Sequence, residues 1–170
     1  ELGLVETHQT LQENKLRDRV ILRVDGGLRG GWEIVMAAIL GADEFGFGSI
    51  AMIAEGCIMA RVCHLNSCPV GVATQKEELR ARFKGTPDHV VDFFFYLAQE
   101  VREVMAKLGY KTVDELIGQT HLLKQKANIV LNKASELDLS FVLDKDQVFQ
   151  NTDFIATRSD LPHSNGSVLD

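Results

Sequence analysis

The chain has 170 residues, of which 45% are hydrophobic and 25% charged, enough apolar material for one packed domain of ordinary size. Its net charge of −6 and its scattered basic residues argue against a nucleic-acid-binding protein. The longest uninterrupted apolar run, Ile34 to Leu40, is far too short to span a bilayer, so we expect neither nucleic acid nor a membrane as partner.

The first third of the chain predicts an α/β arrangement. Residues 3–16 form a weak amphipathic helix. The β-branched run "RVILRV" (19–24) predicts a strand that ends at the turn "DGGLRGG". The segment "WEIVMAAIL" (32–40) predicts a helix stopped by Gly41, and "ADEFGFGS" (42–49) predicts a second strand. This order is a βαβ unit with parallel strands.

The remainder predicts helices and then a tail. "QKEELRARF" (75–83) reads as a short charged helix, followed by a break at Pro87. The longest predicted helix spans 89–109 and closes at Gly109, with apolar residues every three or four positions. "TVDEL" (112–116) predicts the start of another helix with a capping box. A lone parallel strand pair is not stable by itself, so we expect an incomplete domain, the closing piece of a larger fold.

Glycine-rich turns end both predicted strands. Glycines let a backbone approach a ligand closely, and exposed N–H groups with a helix N-terminus form an anion site. Two such turns on neighbouring parallel strands describe the phosphate pocket after strands seven and eight of a (β/α)8 barrel. The candidate residues are Gly26, Gly27, Gly48 and Ser49 as N–H donors, Arg29 as phosphate partner and Asp25 as acceptor of a ligand hydroxyl. The plainer alternative is a common Gly-Gly turn in which Asp25 only caps the next helix.

All three cysteines lie within "GCIMARVCHLNSCPVG", at Cys57, Cys63 and Cys68. An odd number argues against internal disulfides, while buried inert thiols remain possible. Zinc would need His64 as fourth ligand, but His64 adjoins Cys63 and the usual C-x2-C spacing is absent. Three thiolates match a 3Fe–4S cluster with one cysteine per iron, and a Cys-Pro step also closes the bacterial ferredoxin run. The spacing therefore favours a cluster most simply of three irons.

The stretch "GADEFGFGSIAMIAEGCIMARVCHLNSCPVGVATQ" closely resembles the FMN- and iron–sulfur-binding region of the glutamate synthase family. The resemblance extends from "ELGLVETHQTL" through "LRVDGG" and "EELRARFKG" to "GYKTVDELIGQTHLL". It implies a multidomain oxidoreductase that makes two glutamates from glutamine and 2-oxoglutarate, with electrons passing through a 3Fe–4S cluster to FMN. It also implies that the three cysteines hold the cluster and that the turns at Gly26–Gly27 and Gly48–Ser49 hold the flavin phosphate. It implies no catalytic residue within this chain.

Two forms of the family differ in their electron donor. "FGSIAMIAEGCIMARVC" and "HSNGSVLD" are similar to the ferredoxin-dependent form, whereas "ELGLVETHQTL" and "HLNSCP" are closer to the NAD(P)H-dependent form. We favour ferredoxin as partner, which implies a plastid stroma or a cyanobacterial cytoplasm. The alternatives are the NAD(P)H-dependent enzyme and a non-catalytic zinc or iron–sulfur module, which would not need the glycine turns.

The predicted organisation has four parts. Residues 1–56 form the end of an FMN-binding (β/α)8 TIM barrel, 57–70 the iron–sulfur loop, 71–135 a helical segment packed on the barrel, and 136–170 a linker or tail toward a missing C-terminal domain. The amidohydrolase domain and the first six barrel strands of the family are not in this sequence. We therefore expect no glutamate synthase activity from this chain alone.

Overall fold

The computed structural model describes residues 1–126 and 137–143 of the chain. The α-helices in these ranges are α1 (Leu2–Glu13), α2 (Gly31–Ile39), α3 (Ser49–Ala54), α4 (Glu77–Arg80), α5 (Pro87–Leu108) and α6 (Ser140–Leu143). The strands are β1 (Arg23–Asp25) and β2 (Glu44–Gly46), and short 3-10 helices occupy Arg17–Arg19, Cys63–Leu65, Asp114–Leu116 and Thr120–Leu122. Most of the predicted tail, 136–170, lies outside the described residues.

The predicted βαβ unit is confirmed. Strands β1 and β2 pair in parallel, with Arg23 opposite Glu44 and Asp25 opposite Gly46, and α2 connects them. Each strand has only three residues, which is shorter than predicted. In β1 the reason is Arg17, because its 3-10 helix takes up the start of the expected run and its Nη1 donates to the carbonyl of Val20 at 2.9 Å. Within the described residues the sheet has these two strands, and the larger barrel stays a prediction.

The main core lies between α2 and α5. Val35, Ala38 and Ile39 of α2 pack with Met105 of α5, and Leu116 closes the cluster. At the start of α2 the two helices come so close that a Cβ on Gly31 would lie 2.7 Å from the backbone nitrogen of Val101. Glycine is therefore required there for packing. None of the helices in the described ranges is long and apolar enough to cross a membrane.

Glycines end three of the helices in the same way. At Gly41, Gly56 and Gly109 the φ angle is positive, at 109°, 102° and 84°. In each case the glycine N–H donates to the carbonyl three residues earlier, and the next N–H donates to the carbonyl five residues earlier. This is the Schellman motif, which satisfies carbonyls at the helix end. The predicted stops of α2 at Gly41 and of the long helix at Gly109 are confirmed.

Two predicted boundaries in the second half are wrong. Pro87 does not separate two elements but is the first residue of α5, because its fixed φ suits the first helical turn and Thr86 provides a capping box with His89. The predicted helix beginning at Thr112 is only one 3-10 turn. Its cap exists, since the N–H of Glu115 donates to Oγ1 of Thr112 at 3.4 Å. However, the turn ends at Leu116, because Ile117 already has an extended conformation with a φ of −61° and a ψ of 121°.

A buried ion pair ties the N-terminal segment to the sheet, and the sequence alone did not indicate it. Arg17 is 1% exposed, and its Nη2 lies 2.6 Å from Oδ2 of Asp43. Its Nε donates to Nδ1 of His8 at 2.9 Å, and Nη2 also donates to the carbonyl of Gly41 at 3.0 Å. Burial lowers the pKa of His8 to about 4, with help from the neighbouring Arg17 charge. His8 therefore stays neutral and accepts from the guanidinium.

Candidate functional site

The two glycine turns begin side by side at one edge of the sheet. The parallel register places the last residue of β1, Asp25, opposite the last residue of β2, Gly46. A Cβ on Gly46 would lie 3.0 Å from Cγ of Asp25, which is tighter than ordinary contact. The structure thus brings together the turn after β1 and the turn after β2, the two segments that hold the predicted phosphate-binding residues.

The first turn has amides available for a ligand. Gly26 and Gly27 are exposed and take φ angles of 100° and 78°, in the region that favours glycine. No atom lies within 4 Å of the positions that their Cβ atoms would take. Within residues 1–126 and 137–143, neither amide donates a hydrogen bond. Two adjacent N–H groups are therefore free to bind an anion.

The charged residues of the first turn are both exposed. Asp25 does not cap α2, since the residue in the capping position is Gly30 and Asp25 accepts no N–H of the helix. The capping alternative for Asp25 is therefore wrong. Arg29 forms no ion pair or hydrogen bond with any other described residue, so its guanidinium is available to a phosphate.

The N-terminus of α2 already has an acceptor, supplied from a distant helix. Oε2 of Glu100 in α5 accepts the N–H of Gly31 at 2.7 Å. This carboxylate satisfies one of the amides that the helix itself leaves unpaired, and its charge suits the positive end of the helix dipole. The N–H groups that remain available to a phosphate are consequently those of the two glycine turns. Sequence reasoning missed Glu100 because it lies 69 residues from its partner.

The second turn is anchored on α5 by aromatic rings. Phe47 lies between Gly46 and Gly48, and its ring meets Phe94 edge-to-face with centroids 5.3 Å apart. Phe93 contacts Phe94 in the same manner, also at 5.3 Å. Such pairs prefer this geometry and add to the stability gained by burial. Gly48 and Ser49 are exposed beyond this anchor, at the start of α3.

The cysteine loop has an unusual backbone. Met59, Arg61 and Asn66 have φ angles of 55°, 59° and 53°, a region that residues with side chains seldom enter. Asn66 stabilises the loop, because its Oδ1 accepts the N–H of Gln75 at 2.6 Å and the hydroxyl of Thr74 at 2.8 Å. Strained backbone of this kind concentrates at functional sites. The loop is therefore shaped by more than the need to connect two helices.

The three thiols differ in environment and none forms a disulfide. Cys63 is exposed, Cys57 is half-buried and Cys68 is 4% exposed. Sγ of Cys57 accepts the N–H of Met59 at 3.4 Å. The backbone N–H of Ala73 lowers the pKa of Cys68, burial opposes it, and the N–H groups of residues 70–72 add to the lowering. These donors favour the thiolate form of Cys68.

A single metal ion and an iron–sulfur cluster make different demands on a set of donors. Within the described ranges no three side chains of His, Cys, Asp or Glu converge on one metal position. His64, the suggested fourth zinc ligand, is exposed beside Cys63. A 3Fe–4S cluster makes a different demand, because each thiolate binds its own iron. The loop contains three thiols, one for each iron of such a cluster, and Sγ of Cys57 accepts a backbone N–H.

Known proteins are similar to this chain over its whole length. Residues 1–111 match a family model described as a conserved region in glutamate synthase. The full chain is 57% identical to the ferredoxin-dependent glutamate synthase 2 of Synechocystis sp., and 56% identical to the ferredoxin-dependent glutamate synthases of Pyropia yezoensis and of spinach, Spinacia oleracea, where the protein is named chloroplastic. The chain covers 10% to 11% of the length of these relatives.

Proposed function

The chain belongs to the glutamate synthase family, and from that premise we propose that it binds the FMN phosphate and holds the 3Fe–4S cluster of a ferredoxin-dependent glutamate synthase. The reaction of the whole enzyme is the reductive synthesis of L-glutamate from 2-oxoglutarate and glutamine-derived ammonia. When bound, the cluster supplies one-electron transfer and the flavin supplies the hydride. The observation that carries the proposal is an adjacency of three segments. The two glycine turns follow neighbouring parallel strands, and only α3 lies between the second turn and the three-cysteine loop.

The flavin part of the proposal depends on the two turns. The N–H groups of Gly26 and Gly27 would bind the phosphate from one side, and those of Gly48 and Ser49 from the other. The Arg29 guanidinium would neutralise its charge. Asp25, as a carboxylate, can accept a hydroxyl of the flavin chain. The aromatic contact between Phe47 and Phe94 holds the second turn in place for this purpose.

The cluster part depends on the loop. Cys57, Cys63 and Cys68 would each bind one iron. Backbone N–H groups directed at the sulfurs stabilise negative charge there and so raise the reduction potential of a bound cluster. The cluster lies close to the flavin because only α3 separates the second turn from Cys57. Short separation suits electron transfer between the two groups.

Ferredoxin as donor is supported by the relatives, which carry ferredoxin dependence in their names. Their sources, a cyanobacterium and a spinach protein named chloroplastic, support a cyanobacterial cytoplasm or a plastid stroma as the compartment. The NAD(P)H-dependent form is the alternative. Reduction of the enzyme by ferredoxin and by NADPH, measured side by side, separates the two.

The test uses a chimeric enzyme, the Synechocystis sp. protein with this segment in place of its own. We expect an electron paramagnetic resonance signal of an oxidised 3Fe–4S cluster, lost in Cys63→Ser and Cys68→Ser. Ser67→Ala is the matched control in the same loop and should retain the signal. A chimeric enzyme that contains zinc and no iron would refute the proposal.

A second test addresses the phosphate. In the chimeric enzyme, Arg29→Gln should weaken the binding of FMN and leave riboflavin, which has no phosphate, almost unchanged. Loss of a charge-assisted hydrogen bond corresponds to about tenfold in affinity. Arg19→Gln, another exposed arginine, is the control and should affect neither flavin. Equal losses for FMN and riboflavin would contradict the assignment of Arg29.

A further inference from the structure

Helix α3 joins the second glycine turn directly to the first cysteine. It begins at Ser49, next to Gly48, and ends at Ala54, three residues before Cys57. Its six residues rise about 9 Å along the axis. The position of Cys57 relative to the turn is therefore decided by how the chain leaves this helix.

The exit from α3 is a complete Schellman motif formed at Gly56. The N–H of Gly56 donates to the carbonyl of Ile53 at 2.9 Å, and the N–H of Cys57 donates to the carbonyl of Met52 at 3.0 Å. Gly56 has a φ of 102°, which residues with a Cβ seldom adopt. The backbone of Cys57 is thereby fixed to α3 by a hydrogen bond.

The surroundings of Gly56 show that conformation, not space, requires glycine. No atom lies within 4 Å of the position that a Cβ would take. A larger side chain would therefore meet no steric obstacle. What it would meet is the strain of the left-handed conformation, which asparagine tolerates better than alanine. Asn66 in the same loop also has a positive φ, of 53°.

We propose that Gly56 is a positioning residue for the iron–sulfur cluster: its left-handed turn holds Cys57 on the end of α3, where the thiolate can bind iron. The proposal rests on the proposed function, because it assumes that Cys57 is a cluster ligand. It goes beyond that function by assigning ligand placement to a residue that touches no iron.

The experiment compares Gly56→Ala and Gly56→Asn in the chimeric enzyme. Strain in alanine should shift the local equilibrium away from the native turn by about tenfold. We expect iron release to a chelator to become about tenfold faster in Gly56→Ala, with a weaker 3Fe–4S signal per bound FMN. Gly56→Asn should release iron more slowly than Gly56→Ala, within about threefold of the parent chimera, because asparagine adopts a positive φ at lower cost than alanine.

Gly109 provides a matched control. It ends α5 with the same hydrogen-bond pattern, has a φ of 84° and also has no atom within 4 Å of its Cβ position. Gly109→Ala introduces the same strain away from the cysteine loop. It should accelerate amide hydrogen exchange at the end of α5 as Gly56→Ala does at the end of α3, and it should leave iron release unchanged.

Three results would overturn the proposal. Equal iron release in Gly56→Ala and Gly109→Ala would show that the effect is general destabilisation. Equal loss in Gly56→Ala and Gly56→Asn would show that conformation at residue 56 is not the cause. In both cases a parent chimera with a 3Fe–4S signal would leave the proposed function intact. A parent chimera with no such signal would refute the proposed function, and this inference with it.

Discussion

Replacing Arg17 by methionine should loosen the N-terminal segment strongly, because it leaves the Asp43 carboxylate buried without its cation. Asp43 would keep only the N–H of Leu22, at 2.7 Å. Breaking a buried ion pair by removing one partner costs about 3 to 5 kcal/mol. The lower end applies here, since methionine fills much of the arginine volume. About 3 kcal/mol corresponds to a factor on the order of a hundred in a local equilibrium.

The assay is amide hydrogen exchange followed by mass spectrometry on the chimeric enzyme, because a large multidomain protein does not unfold in two states. Peptides covering α1 and β1 should exchange on the order of a hundred times faster in Arg17→Met. Arg23→Met is the matched control. Arg23 also lies 2.6 Å from a carboxylate, that of Glu44, but its side chain is 72% exposed.

An exposed ion pair contributes about 0.2 to 1 kcal/mol, so Arg23→Met should change the exchange rate by less than about fivefold. Both substitutions remove an arginine that lies 2.6 Å from a carboxylate, but the Arg17 pair is buried and the Arg23 pair is exposed. Equal effects would refute the reasoning that desolvation of the remaining carboxylate decides the cost. Faster exchange in Arg23→Met than in Arg17→Met would also refute the conclusion that the Arg17–Asp43 pair stabilises the N-terminal segment.

Three further predictions follow from single contacts. Burial lowers the pKa of His8 to about 4 in the folded chain, below the value of about 6.5 for an exposed histidine, so the unfolded chain binds more protons between these pH values. Stability should therefore fall by about 3 kcal/mol as the pH drops through this range, and His8→Gln should abolish the dependence in hydrogen exchange corrected for intrinsic rates. In enzyme stripped of iron, iodoacetamide should modify exposed Cys63 before Cys68, despite the lowered pKa of Cys68, because access to Sγ is limiting; mass spectrometry with Cys68 modified first would contradict this. Glu100→Ala should destabilise the start of α2 by about 1 kcal/mol and Glu100→Gln by less, as seen in exchange of the Gly31 region.

Local signals in the sequence predicted local structure well. The glycine stops at Gly41 and Gly109 were predictable because a positive φ after a helix depends on one residue. Parallel pairing followed from the order of elements. The helix expected after Thr112 failed for the opposite reason. Its capping box formed, but one 3-10 turn can satisfy the same hydrogen bonds, and the chain is extended again at Ile117.

Contacts between residues far apart in the chain could not be predicted from the sequence. Arg17 reads as a surface residue until Asp43, 26 residues away, is brought within 2.6 Å. In the candidate site the cysteines and glycines were identifiable because their residue types carry the chemistry. Their supporting partners, Glu100 and Phe94, have no distinctive type and become visible only once α5 lies across both turns.

The position of α5 has a consequence for how the site is assembled. This helix follows the cysteine loop in the chain, yet its Glu100 holds the start of α2 and its Phe94 holds the second glycine turn. The residues before the loop therefore depend on residues after it for their placement. A chain that ended after Pro69 would contain every predicted ligand of the phosphate and the cluster, but neither anchor. We infer that the two glycine turns form one cooperative unit closed by α5, although the cysteine loop separates both of them from that helix in the chain.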